Sequence, residues 1–306
     1  VIGLNATTNG PILFDDVVMA IDPAREIVIP SDSKLIIHGS HLFQCHNRWI
    51  GIRVENLGRL DIVTHPVSNR TPLIEGSHIA VRIMPYSAPD QTTYNGLIRI
   101  DNVTFNRNMC GIQINDYPYQ NTESAFGINR CIFTSRQLWT TNPLIWPSTN
   151  DLRNSVNPGS GPNSFESPIM NNTTFPYQTC PTMTNVSGLG YTPNQAFPWR
   201  GIDMFNVGFT QFLNFWTPPV YSSLGINNSA VGQATIFDRM SRAVMGVNSN
   251  FNVHHSIFQN PLNTTGSGIR AIEAINNPGV VRQVQVLGTD DFPVDFYNFQ
   301  RAIELT

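Results

Sequence analysis

With 306 residues the chain is long enough for one large domain or for two. Charged residues make up only 13% of it, against roughly 25% in an average soluble domain, and the formal net charge is −3. Its 17 arginines and single lysine, Lys34, are scattered singly, which leaves no footprint for nucleic acid, and no apolar run approaches the roughly 20 residues of a membrane span.

Taken in chain order, the sequence offers short β-runs and almost no helical periodicity. In the first half they are Glu26–Pro30, Lys34–His38, Gly51–Val54, Leu60–Val63, Ile79–Ile83, Leu97–Ile100 and Gly111–Ile114. In the second they are Gly201–Phe205, Thr235–Phe237, Ala243–Val247, Ser256–Phe258, Ile269–Ile272, Val281–Leu287 and Ala302–Leu305. Each is bounded by Gly, Asn, Asp, Pro or Ser, the residues that turn a chain.

A short phrase recurs among these runs. Phe105 stands six residues before the small-apolar step Gly111-Ile112, Phe237 six before Ala243-Val244, and Ile74 six before Ala80-Val81. Looser copies run from Phe43 to Gly51-Ile52, from Phe258 to Gly268-Ile269 and into Ala302-Ile303. The steps are 29 residues apart from Gly51 to Ala80 and 31 from Ala80 to Gly111. The 90 residues from Gly111 to Gly201 read as three such intervals, followed by steps of 42, 25 and 34. A preserved phrase at irregular spacing predicts an all-β solenoid, a right-handed parallel β-helix, as one domain over residues 1–306. Within the phrase the period is two, so Ile112 and Ile114 point inward and Gln113 outward. Stacking coils then places Ile52, Val81 and Ile112 in one column, with the Gly or Ala before each marking a crowded corner. Asn102, Asn129 and Asn206 are expected to stack as an amide ladder.

Residues 137–199 break the pattern and read as a long irregular excursion rich in Pro and Asn. A smaller excursion covers 216–223. The aromatics of the long one, Trp139, Trp146, Tyr177, Tyr191 and Trp199, are the candidate binding residues, because sugars stack on exposed Trp and Tyr faces. Packing of the same rings against the solenoid is the competing reading.

Other chemistry is thin. The four cysteines, Cys45, Cys110, Cys131 and Cys180, form no CxxC pair, so neither a zinc site nor any other metal or cofactor is expected. They read as buried thiols, with a Cys131–Cys180 bridge as the alternative. The acidic pairs Asp15-Asp16 and Asp290-Asp291, the latter followed by Asp295, lie near opposite ends of the chain. Outward-facing Arg53, Arg82, Arg99 and Arg270 have no acidic residues recurring beside them from coil to coil, and Asp101 and Asp116 flank one coil only. His254-His255 falls on a strand, where neighbouring side chains face opposite ways and suit a corner or buried-polar role better than a shared metal.

The stretches Gly39-Ser-His-Leu-Phe-Gln-Cys, Trp49-Ile-Gly-Ile-Arg-Val, Gly58-Arg-Leu-Asp-Ile and Asn102-Val-Thr-Phe-Asn-Arg-Asn with Gly111-Ile resemble the right-handed parallel β-helix region of large secreted Bacteroidota proteins. The resemblance covers about 26–136 and returns over 200–306. It implies export by the type IX secretion route and a place on the cell surface or in the medium, and it carries no catalytic residues. The expected function is a non-catalytic structural or adhesive segment whose partners are other surface proteins, further copies of itself, or glycans. A polysaccharide lyase or glycoside hydrolase on the same scaffold is the alternative.

Overall fold

The computed structural model describes residues 2–3, 10–44, 48–85, 98–116, 126–134, 200–207, 213–214, 234–238, 240–259, 270–279, 283–287, 294–297, 299 and 301–306. Strand β1 (Ile2–Gly3) precedes coils of three strands each. The first two coils are β2 (Ile12–Asp15), β3 (Val18–Ile21) and β4 (Glu26–Ile29), then β5 (Lys34–His38), β6 (His41–Gln44) and β7 (Gly51–Val54). The next two are β8 (Arg59–Val63), β9 (Leu73–Glu75) and β10 (Ile79–Ile83), then β11 (Ile98–Asp101), β12 (Thr104–Asn106) and β13 (Cys110–Asn115). The fifth and sixth are β14 (Phe126–Asn129), β15 (Ile132–Thr134) and β16 (Arg200–Phe205), then β17 (Leu213–Asn214), β18 (Thr235–Asp238) and β19 (Arg242–Val247). The last two are β20 (Phe251–His254), β21 (Ser256–Gln259) and β22 (Arg270–Ile275), then β23 (Val284–Leu287), β24 (Asp295–Tyr297) and β25 (Arg301–Leu305).

Every strand pairs in parallel with the strand three places along the chain, which is the signature of a three-faced parallel β-helix. The third face is one continuous nine-stranded sheet from β1 to β25, and the second is an eight-stranded sheet from β3 to β24. The first face is divided between a five-stranded sheet, β2 to β14, and a three-stranded sheet, β17 to β23. Parallel pairing suits this composition, since β-branched Ile and Val pack well on a pleated surface that must be covered by its own neighbours.

The predicted column is present. Val81 pairs in register with both Ile52 and Ile112, and the row continues through Ile202, Val244 and Ile272 to Ile303. All but the last rung are buried. Each such side chain contributes about 1.5–3 kcal/mol by leaving water, so the row alone is a large part of the driving force.

On the second face the inward row becomes aromatic. Phe105, Phe133, Phe237, Phe258 and Phe296 stack with successive ring centroids 4.8–5.0 Å apart and planes within 9°. This aromatic row explains the small residue at each step. A Cβ added to Gly111 would stand 2.6 Å from Phe133 Cδ1 and 2.7 Å from Gly201 O, and one on Gly201 would meet Phe237 at 2.8 Å.

Three details of the register differ from the sequence reading. Leu42, not Phe43, is the partner of Ile74, so Phe43 points to the opposite side of its strand. The sixth step is Ala271-Ile272 rather than Gly268-Ile269, because Ile272 pairs with Val244. Gly111 to Gly201 is one coil rather than three, since Ile112 pairs directly with Ile202.

A polar ladder does run along the corner that follows the third face, with a different membership from the one expected. Asn206 Nδ2 donates to Asp116 Oδ1 at 2.6 Å, Asn248 Nδ2 donates to Asn206 Oδ1 at 3.2 Å, and the Asn277 backbone N–H donates to Asn248 Oδ1 at 2.8 Å. Asp116, Asn206 and Asn248 all hold positive φ, a conformation that short polar side chains tolerate. Asn102 belongs to another corner, where it donates to Thr64 Oγ1 at 2.9 Å, and its backbone N–H donates to Asn129 O.

Among the described residues no helix is long and apolar enough to cross a membrane.

Candidate functional site

The charged chemistry of the described residues collects on the outer side of the third face. Alternation along its strands turns one row outward, and ion pairing brings the guanidiniums of a second row, at the strand starts, to the same side. One row, read in register, is Val28, Arg53, Arg82, Gln113, Asp203, Met245, Glu273 and Glu304. Three residues earlier, Cys110 pairs in turn with Arg200, Arg242, Arg270 and Arg301. A strand rises by one residue per step while coils stack at about 4.8 Å, so these two rows place a guanidinium beside an acid both within a strand and across to the next rung.

At the start of this face Arg53 Nε lies 3.1 Å from Glu26 Oε2, and its Nη1 lies 2.5 Å from Glu55 Oε1. Further along, Arg200 Nη1 lies 2.6 Å from Asp203 Oδ2, and Arg242 Nε lies 2.6 Å from Glu273 Oε2. Arg270 reaches Glu273 at 3.5 Å and also pairs with Glu304, which Arg301 holds from the other side. The sequence reading found no acids recurring beside the outward arginines; the structure corrects this, with Glu26 and Glu55 at Arg53 and Glu273 and Glu304 at Arg270.

Exposed ion pairs contribute about 0–1 kcal/mol each, but a buried carboxylate without a partner is costly. The side chain of Asp203 is 0% exposed and that of Glu273 only 7%, so the arginines around them are required rather than ornamental. The contacts at Asp203 Oδ2 and Glu273 Oε2 are close enough for ion pairs but are not aligned as hydrogen bonds. Burial pushes the Asp203 carboxyl above its ordinary 3.8, while Arg200 and Arg242 pull it down. Burial likewise raises the neighbouring Cys110 thiol, with the Asp203 charge adding to it.

A raised folded value means that the native state holds the proton more tightly than the unfolded chain does. Stability from this group is therefore greatest at low pH and falls as pH rises from 3.8 through the raised value. In Asp203→Asn that slope disappears. Urea midpoints measured from about pH 4 to about pH 7 are expected to fall for the native chain relative to the variant. Parallel curves would show that Asp203 is ionised throughout.

The other faces hold their acids differently. On the first face Lys34, the only lysine, pairs with Asp61 at 2.6 Å, and Arg99 is exposed. Asp101 accepts from Arg130 Nε at 2.8 Å. In β6, β12, β15 and β18 of the second face the outward residues are buried as well as the inward ones. His41 Nε2 lies 2.7 Å from Glu75 Oε2, Asn106 Nδ2 donates to Glu75 Oε1 at 2.6 Å, and Thr134 Oγ1 donates to Asp238 Oδ2 at 2.8 Å. Leu73, Ile132 and Ile236, with Ile257 against them, form a second apolar cluster on this same side. Glu75 and Asp238 are three rungs apart, or about 14 Å at the usual strand spacing. Paired carboxylates of glycoside hydrolases stand about 5–9.5 Å apart, so these two do not form such a pair.

The Asp15-Asp16 pair sits at a corner after the first face. Asp15 Oδ1 is 3.3 Å from both His38 Nδ1 and His65 Nε2, and Asp16 is 2.5 Å from Arg70 Nη1. Two histidines on one carboxylate are the residue types of a zinc site. Here, however, His65 Nδ1 accepts from the backbone N–H groups of Ser68 at 2.9 Å and Val67 at 3.2 Å. Its proton then sits on Nε2, which faces Asp15 Oδ1 and has no lone pair for a metal. Among the described residues no three His, Cys, Asp or Glu side chains are grouped to hold a metal ion.

Cys110 and Cys131 are buried thiols, and Cys131 Sγ lies 3.1 Å from Asn129 O; the alternative Cys131–Cys180 bridge involves a residue outside those described. His254 ends β20 and is half-buried, with burial lowering its pKa; His255 is the corner residue after it rather than a strand residue. The aromatic candidates Trp139, Trp146, Tyr177, Tyr191 and Trp199 lie outside the described residues, as do the 216–223 excursion, Cys45, Cys180 and Asp290-Asp291. No family model matches the chain, and neither a curated protein nor a solved structure matches it.

Proposed function

We propose that this chain is a non-catalytic β-helical segment of a secreted or cell-surface protein, one that offers its faces and corners to glycans or to neighbouring proteins. The observation that supports this reading is the ion-pair ladder of the third face. There each acid has an arginine on its own or the next rung, which makes a stiff and nearly neutral surface of fixed donors and acceptors. Asp203 has Gln113 and Met245 as its register partners, so no second carboxylate stands beside it as glycoside hydrolysis requires.

The rival reading, a glycoside hydrolase, has one observation in its favour. Glu273 and Glu304 are register partners, so their backbones stand about 4.8 Å apart, close to the spacing of a retaining pair. The two readings separate on a panel of immobilised polysaccharides assayed for both retention of the protein and release of new chain ends. Binding without new reducing ends or unsaturated products is the expected result. Release of product that is lost in Glu273→Gln or Glu304→Gln would establish the hydrolase instead.

A further inference from the structure

We infer that Arg82 and Gln113 form a binding subsite for the acidic group, carboxylate or sulfate, of an anionic polysaccharide lying across the third face. The inference deepens the glycan reading above and rests on it.

The ladder of the third face has one break. Arg53, on the rung before Arg82, is held by Glu26 and Glu55, and from Asp203 onward the arginines and acids are matched. Between them lie Arg82 and Gln113, register partners on consecutive strands β10 and β13. Both are partly exposed, and no ion pair or side-chain hydrogen bond is made by either among the described residues. Arg82 Nε is moreover buried without any hydrogen-bond partner. A buried charged donor left unmet is costly, and Arg82 as a whole is partly exposed, so a ligand can reach it. A guanidinium presents its donors as a planar fork that matches a carboxylate or sulfate in a two-point contact. Gln113, about 4.8 Å away along the helix axis, adds an amide suited to a hydroxyl or ring oxygen of the same residue or the next. The nearest charge in the row is Arg53, which Glu26 and Glu55 already hold, so Arg82 is the guanidinium left for an arriving anion, with no carboxylate in that row until Asp203.

A saccharide is favoured over an acidic peptide by the surface itself. The donors lie on a flat sheet at a fixed rung spacing, and the strands flanking them are themselves paired within the sheet, which leaves no edge for a peptide strand to add to.

The test uses the whole chain and three probes: polygalacturonate for carboxylate, heparin for sulfate, and dextran as an uncharged control. Binding to one or both acidic polymers, weakened by salt, is expected, with Arg82→Gln reducing affinity about tenfold or more. Arg82→Lys keeps the charge but not the fork and is expected to fall between. Arg59→Gln, on the first face, is expected to bind as the native chain does. Far-UV circular dichroism and the urea midpoint show whether each variant is folded. If Arg82→Gln fails to fold, Gln113→Ala takes its place, with a smaller loss of affinity expected. Acidic-glycan binding that is unchanged in these variants overturns the inference and leaves the proposed function standing. Binding of dextran alone does the same. Polyglutamate held as tightly as the glycans, with the same loss in Arg82→Gln, makes a protein the partner and also overturns it. Retention of no polysaccharide at all overturns the inference together with the glycan part of the proposed function, and leaves a protein partner.

Discussion

Phe133→Ala is expected to lower stability by about 3–5 kcal/mol and to divide the unfolding of the chain into two transitions. Phe133 is 1% exposed and stacks on Phe105 at 5.0 Å and on Phe237 at 4.9 Å, so the change removes two ring contacts as well as the buried volume. Each such contact adds about 0.5–1.5 kcal/mol beyond area alone. In a stacked repeat every coil touches only its neighbours, so a weak interface in the middle uncouples the two halves. Urea denaturation followed by circular dichroism and by tyrosine and tryptophan fluorescence should show one midpoint in the native chain and two in the variant. Phe133→Leu keeps most of the volume and should cost less than half as much. A single transition with an unchanged midpoint in Phe133→Ala would mean that the aromatic row packs loosely.

Gly51→Ala should be comparably damaging, about 3–5 kcal/mol, although it adds one methyl group. Gly51 has φ +128°, which side chains rarely adopt, and an added Cβ would stand 1.6 Å from Ile79 O on the adjacent coil. The atom in the way is backbone, so no rotamer change can relieve the contact, and strands β7 and β10 must separate locally. Loss of amide hydrogen-exchange protection confined to Ile52–Val54 and Val81–Ile83 is the expected readout. Gly10→Ala controls for backbone strain alone, because Gly10 also has positive φ, +153°, while nothing lies within 4 Å of its added Cβ. Equal protection in both variants would contradict the register described for β7 and β10.

How much of this was legible in the sequence depends on whether a strand is covered on one side or on both. Along the third face the alternation in Gly51-Ile-Arg-Val and Gly111-Ile-Gln-Ile marks the inward residue, and Ile52, Val81 and Ile112 align as read. In β6 all four residues, His41 to Gln44, are buried, so alternation gives no sign of which of Leu42 and Phe43 faces in. The same ambiguity arises where Gly268-Ile269 and Ala271-Ile272 follow one another, and only pairing with Val244 decides between them.

The ion-pair ladder was hidden for a different reason. Its links between rungs join residues a full coil apart, 27 for Arg53 with Glu26 and 34 for Arg270 with Glu304, so local spacing shows only the pairs within a strand, such as Arg200 with Asp203 and Arg301 with Glu304. The break at Arg82 and Gln113 is likewise visible only once the rungs are stacked. The corner or buried-polar role read for His254-His255 holds, although His255, with φ 30°, turns the corner instead of continuing the strand, which alternation does not anticipate.

β15 ends at Thr134 and β16 begins at Arg200, yet β16 docks on β13 with the same alignment that β10 uses. A trunk of this kind asks only that the polypeptide come back to its place after each departure. New material can thus be grafted at such a departure point without retuning the interior. Display and scaffold are free to change at different rates, and a family built this way can diversify what it shows while its trunk stays constant.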